Sequence, residues 1–111
     1  MFTVVETPTF QRRAESLLSA EEREELIGFL AASPEAGDVI PDTGGVRKVR
    51  FAAKGKGKRG GTRVIYYFVD EALPLYALLI YGKNEQDNLT SEQKKAVRAF
   101  AEAIKAQRRG R

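Results

Sequence analysis

Three strand-forming segments follow one another with only short connections, and this constrains the fold more than any other feature of the chain. "VRKVRF" (46–51) alternates, with Val46, Lys48 and Arg50 on one face and Arg47, Val49 and Phe51 on the other. "TRVIYYFVD" (62–70) is rich in β-branched and aromatic residues, which suit a pleated, half-buried surface. After the turn "EALP" the segment "LYALLIYG" (75–82) forms a third strand. Such a succession predicts an antiparallel meander.

The flanking segments carry helix signals. "FTVVE" reads as a short first strand, and Thr7-Pro8 as an N-cap followed by proline at the first helical position. Phe10, Ala14, Leu17 and Leu18 then recur at helical spacing. Ser19 with Glu22 forms a capping-box pattern that restarts a helix, with Leu26, Ile27 and Leu30 as its apolar stripe. "SPEAGD" ends that helix and "IPDTGG" leads by turns into the meander. Thr90 and Gln93 suggest another capping box, ahead of Val97, Phe100, Ala101 and Ile104 on one helix face; "QRRGR" is expected to fray. The order β-α-α-β-β-β-α predicts one α+β domain over residues 1–111. A single twisted, mainly antiparallel sheet packs against an N-terminal helical hairpin and a C-terminal helix.

Composition bounds the chemistry. The 111 residues, 42% of them hydrophobic, suit one modest core. Without cysteine there is no disulfide framework and no thiolate nucleophile. Without histidine the commonest acid/base group is missing and only oxygen ligands remain for a metal, so a zinc site is not expected. "MFTVVET" lacks the basic start of a signal peptide, and the longest apolar run, "ALPLYALLIYG", is too short to span a bilayer. The expectation is a cytoplasmic protein without membrane contact.

The net charge of +4 is unevenly spread. Residues 47–63 hold eight bases (Arg47, Lys48, Arg50, Lys54, Lys56, Lys58, Arg59, Arg63) and no acid, leaving 11 bases against 15 acids elsewhere. So concentrated a positive field attracts polyanions, nucleic acid first among them; the bland alternative is a solvated loop with no partner. The glycine-rich part, "GKGKRGGT" (55–62), is not a phosphate-binding P-loop. Gly61 stands where that motif needs lysine, and the segment leads into a strand rather than a helix. Between two strands of one sheet it reads as a hairpin loop whose lysines hold phosphates without reading sequence.

Alternation also places candidate site residues. Lys48 and Arg50 share a face, and Arg63 at the start of the next strand can lie beside Arg50. Tyr81, Lys83 and Glu85 share one face if the third strand stays extended. Without histidine, RNA can still be cut by its own 2′-hydroxyl attacking the neighbouring phosphate. That step needs a base, positive charge on the phosphoryl oxygens and a proton donor. Arginine supplies the charge; a lysine among cations, or Glu85, is a candidate for proton transfer. The bland alternative is a surface ion pair between Lys83 and Glu85. Tyr66 and Phe68 are assigned to packing, and Tyr81 is kept as a candidate base-stacking face.

"GDVIPDTGGVRKVRFAAKGKGKRGGTRVIYYFVDE" and "LIYGKNEQDNLT" resemble the RelE/HigB superfamily of type II toxin–antitoxin toxins, and look most like its HigB-type branch. The resemblance covers nearly the whole chain. It implies a RelE-like fold and a metal-independent endoribonuclease that cleaves mRNA in the A site of the 70S ribosome. Lys48 and Arg50 match the family's strand cations, Arg63 its phosphate-stabilising arginine, and Lys83, Asn84 and Glu85 the positions after the last strand. Asn84 and Thr90 stand where RelE carries an arginine and a catalytic tyrosine, which leaves proton transfer open among Lys83, Glu85 and Lys58. Arg47, Lys48, Arg50, Lys54, Lys56, Arg59, Tyr81 and Asn84 are expected to touch RNA or ribosome. The implied partner is a helix-turn-helix antitoxin, through which the toxin reaches operator DNA. The alternative is a relative that binds nucleic acid without cutting it.

Overall fold

The computed structural model describes residues 3–52 and 61–109. The chain runs β1 (Val4–Glu6), α1 (Pro8–Leu17), α2 (Ala20–Ala32), β2 (Asp38–Val39), β3 (Val46–Phe51), β4 (Thr62–Tyr67), β5 (Leu75–Gly82) and α3 (Ser91–Arg109). The strands form one sheet in the order β1-β5-β4-β3-β2, with β1 parallel to β5 and every other pair antiparallel. This is the expected α+β fold with one strand more. β2 comprises only two residues, both exposed, and pairs with Arg47 and Lys48. So short a strand has no hydrophobic pattern, so the sequence reads there as turn.

The meander is covered on both sides because its middle strands are apolar in both directions. Val64 and Tyr66 point one way and Ile65 and Tyr67 the other, and all four are buried. A strand of that kind needs a layer over each face. On the first, Phe10, Ala14, Leu26 and Leu30 of the helical hairpin pack on Phe51, Val64, Tyr66, Leu75, Ala77 and Ile80. On the second, Val97 and Ala101 of α3, with Phe100 and Ile104, pack on Val46, Ile65, Tyr67, Leu78, Leu79 and Tyr81. The rings of Tyr76 and Phe100 meet edge to face, 5.2 Å apart, and help to seat α3. Leu78 is the extra residue of a β-bulge: Ile65 pairs with Leu79 but Tyr66 with Ala77.

Caps set the helix starts as the sequence implies. Thr7 Oγ1 accepts from the Phe10 amide, Ser19 and Glu22 exchange both capping-box bonds, and Thr90 and Gln93 do the same at the entry to α3. Side chains of the first helical unit also close the edge of β5 beyond its short pairing with β1. Thr7 Oγ1 donates to the Leu78 carbonyl at 3.2 Å and Arg13 Nε to the Ile80 carbonyl at 2.8 Å. An exposed strand edge invites pairing with other chains, and these bonds occupy two of its acceptors.

Candidate functional site

Register brings the predicted cations together. Across the ladder Arg50 lies opposite Arg63, and Arg63 opposite Tyr81. Lys48, two residues from Arg50 on the same strand, shares their face, which is the face that α3 covers farther along. Exposure rises across the three strands. Tyr81 is 0% exposed, Arg63 half-buried and Arg50 exposed. The row therefore runs from protein interior to solvent, with the Arg63 guanidinium at the boundary, where charge is less screened than in water.

Two features of this row oppose folding. Like charges directly opposite in an antiparallel pair are destabilising, and Arg50 and Arg63 are such a pair. Arg63 Nη1 is also buried without an acceptor. A buried donor left unpaired costs about 1–3 kcal/mol. Among the described residues neither arginine has an ion-pair partner. An anion seated against Arg63 and Arg50 would relieve both conditions at once.

Tyr81 supports this row rather than offering a stacking face, because its ring is buried. Its hydroxyl points to the Asp87 carbonyl at 3.4 Å. Burial raises its pKa above the ordinary tyrosine value; the nearby Arg63 pulls it down and Asp87 pushes it up. At neutral pH Tyr81 is a neutral hydroxyl, able to donate a hydrogen bond but not to act as a phenolate base. Asp87 itself was missed in the sequence. It lies in a polar loop, and nothing local signals that this loop folds back over Tyr81.

Three predicted residues do not join the row. β5 ends at Gly82 and a turn follows, so 81, 83 and 85 do not continue on one face as strand alternation would require. Glu85 instead lies on the hairpin side, beside Gly82 and Leu17. Its Oε1 accepts from the Gly82 amide at 2.8 Å and its Oε2 pairs with Arg13. These bonds, that from Gly82 first, hold its pKa below the usual carboxylate value. A carboxylate so engaged is a weak base. Lys83 and Asn84 are exposed and line a small cleft with Leu17, Gly61, Thr62 and Glu85 at that end of the sheet. Arg13, which fixes the turn, was also missed. Its signal was a charge at 13 within the Phe10–Ala14–Leu17 stripe of α1.

Arg47 points to the hairpin face, as its alternation implied, and is spent on structure. Its Nη1 donates to the Gly37 carbonyl at 2.7 Å and to that of Glu35 at 3.3 Å. Next to it Tyr66 is a core residue, as expected: its hydroxyl accepts from the Gly37 amide and donates to the Pro34 carbonyl, each at 2.8 Å. Lys54, Lys56, Lys58 and Arg59 lie outside the described residues. Among the described residues no acidic cluster suits a metal ion, and no helix is long and apolar enough to cross a membrane.

The fold and this row define a small α+β domain that carries an uncompensated cation cluster on one sheet face. Residues 4–110 match the family model described as the RelE toxin of the RelE/RelB toxin–antitoxin system. The chain belongs to that family of toxins.

Proposed function

We propose that this toxin is a ribosome-dependent mRNA endoribonuclease that cleaves mRNA in the A site of the 70S ribosome and is neutralised by a helix-turn-helix antitoxin. The observation that carries the reading is the buried, acceptor-less Nη1 of Arg63 in a row with Arg50 and Lys48. In the cleavage step the 2′-hydroxyl oxygen bonds to the adjacent phosphorus and the 5′-oxygen leaves, giving a cyclic phosphate and a free 5′-hydroxyl. Negative charge on the non-bridging oxygens grows in the transition state. Arg63, fixed at the protein boundary, donates to one of them, and Arg50 meets the other or the flanking phosphate from the solvent side. A preoriented donor of this kind contributes roughly 10²–10³ in rate. Proton transfer is assigned to Lys58, a sequence candidate outside the described residues, since Lys83 and Glu85 line a cleft away from the row and the Glu85 carboxylate is held by Arg13 and Gly82.

The test is translation with purified ribosomes, followed by mapping of mRNA ends. The parent is expected to generate new ends, and Arg63→Ala to lose them while remaining folded. If Arg63→Ala cuts like the parent, the site is elsewhere. A second reading, a binder without catalysis, draws on one observation: among the described residues no uncommitted base stands beside Arg63. RNA binding by the parent with no new ends would select that reading.

A further inference from the structure

On the same sheet face, one step beyond Arg50, lies a cleft of about 200 Å³ between the turn before β3 and the entry to α3. Ile40, Pro41, Lys48, Asn88, Leu89 and Lys94 line it. Two lysines, one from a strand and one from a helix, thus line one cavity. Among the described residues neither lysine has an ion-pair partner. Lys48 Nζ donates to Asn88 Oδ1 at 3.3 Å, so two of the lining residues are bonded to each other. Ile40 and Leu89 belong to the α3-side core and supply an apolar wall. Lys94 also lines the next cleft along α3, with Lys95, Arg98 and Asp42, Arg98 being paired with Glu102.

We propose that this cleft is a nucleotide subsite, holding the residue of a single-stranded RNA next to the scissile phosphate. The proposal rests on the nuclease reading above. Lys48 and Arg50 are about 7 Å apart along the strand, a span comparable with one nucleotide step of an extended chain. With the reacting phosphate on Arg63 and Arg50, the neighbouring phosphate falls between Lys48 and Lys94. The attached base then lies on Ile40, Pro41 and Leu89. Asn88 supplies what can read it: its amide nitrogen has no acceptor among the described residues, and side-chain amides recognise base edges through paired donor and acceptor atoms.

The test uses a short single-stranded RNA with a 2′-deoxy residue at the cleavage position, titrated against the full-length toxin at several salt concentrations. Parent, Lys94→Ala and Asn88→Ala are compared, and mRNA ends are mapped on ribosomes for each. Lys94→Ala exchanges a half-buried helix residue for a good helix former, so the fold is expected to persist. It should bind the RNA more weakly, with the slope of log K against log salt shallower by about 0.7, the loss of one phosphate contact. KM should rise with kcat little changed. Asn88→Ala should leave the salt slope alone and broaden base preference at one position beside the cut. If the parent binds and cuts but Lys94→Ala matches it in affinity and slope, the subsite is wrong and the nuclease reading stands. If the parent binds with the expected Lys94 dependence but yields no ends, the nuclease reading fails alone. Should Lys94→Ala weaken ribosome binding while sparing the oligonucleotide, the cleft serves ribosomal RNA and the substrate subsite is overturned.

Discussion

Replacing Arg63 by methionine separates function from stability by sign. Methionine keeps an unbranched apolar stem of similar reach and deletes the guanidinium. Two unfavourable conditions then vanish: the buried Nη1 without an acceptor and the like charge opposite Arg50. The first is worth about 1–3 kcal/mol for a fully buried group. Arg63 is only half-buried, which places it at the low end. The second is a fraction of a kcal/mol, because Arg50 is exposed and screened. The expected result is a gain of about 1 kcal/mol, or roughly 4 °C in Tm for a domain of this size. In urea the midpoint should rise at unchanged slope. Cleavage on ribosomes should fall by roughly 10²–10³. This is the trade expected where a binding group is held at the expense of the fold. A variant destabilised by 1 kcal/mol or more that still cuts mRNA would make Arg63 an ordinary structural residue, and the reasoning from its unpaired donor would be wrong.

Further outcomes follow from other parts of the molecule. A Cβ on Gly37 would stand 2.8 Å from the Lys48 carbonyl oxygen and 2.9 Å from the Tyr66 hydroxyl. Gly37→Ala should therefore destabilise by about 1–3 kcal/mol in urea titration, and a neutral result would mean that β2 shifts freely. Glu85 has a pKa held low by Gly82 and Arg13, so its contribution to stability is present above the ordinary carboxylate range and is lost as pH falls through its folded value. The Tm difference between parent and Glu85→Gln should accordingly shrink on acidification; a constant difference removes the carboxylate as its cause. Burial raises the pKa of Tyr66, Tyr67 and Tyr81. Their stabilising effect is complete below about pH 10 and lost as pH rises through their folded values, so tyrosinate absorbance from these rings should appear only together with unfolding by circular dichroism. Ionisation of all three within an intact fold would contradict their burial.

Much of the architecture was legible because its signals are local and repeated. Thr7-Pro8, Ser19/Glu22 and Thr90/Gln93 each start a helix through a side chain three residues or fewer from its partner. Strand alternation correctly put Lys48 and Arg50 on one face and Arg47 on the other. What the sequence hid depends on contacts distant along the chain. β2 exists because Asp38 and Val39 pair with β3. Tyr81 looked like an available ring, yet the polar loop after β5 returns over it, and only the fold brings Asp87 to its hydroxyl. Glu85 was misplaced because extension was assumed to continue, whereas the Gly82–Glu85 bond closes a turn across the sheet edge.

The arginines of the two faces differ in how the fold answers them. On the hairpin side three arginines meet acceptors through their guanidinium groups, although Arg47 Nε, like Arg63 Nη1, is buried without one. Arg13 bonds Ile80 and Glu85, Arg23 bonds Glu6, and Arg47 bonds Glu35 and Gly37. Those acceptors come from β1, the segment after α2, β5 and the turn after it, all supplied by the fold itself. The other face is covered by α3 and by the segment around Asp87–Leu89, which reach Tyr81 and Leu79 and bring Lys94 to the cleft beside Lys48. Asp87, the acid nearest Tyr81, offers its backbone carbonyl to the tyrosine and forms no ion pair with Arg63 among the described residues. Arg63 keeps a donor that no group among the described residues answers. On the reading proposed above, a carboxylate placed beside Arg63 would satisfy its buried donor and stabilise the fold, and would remove the anion site with it.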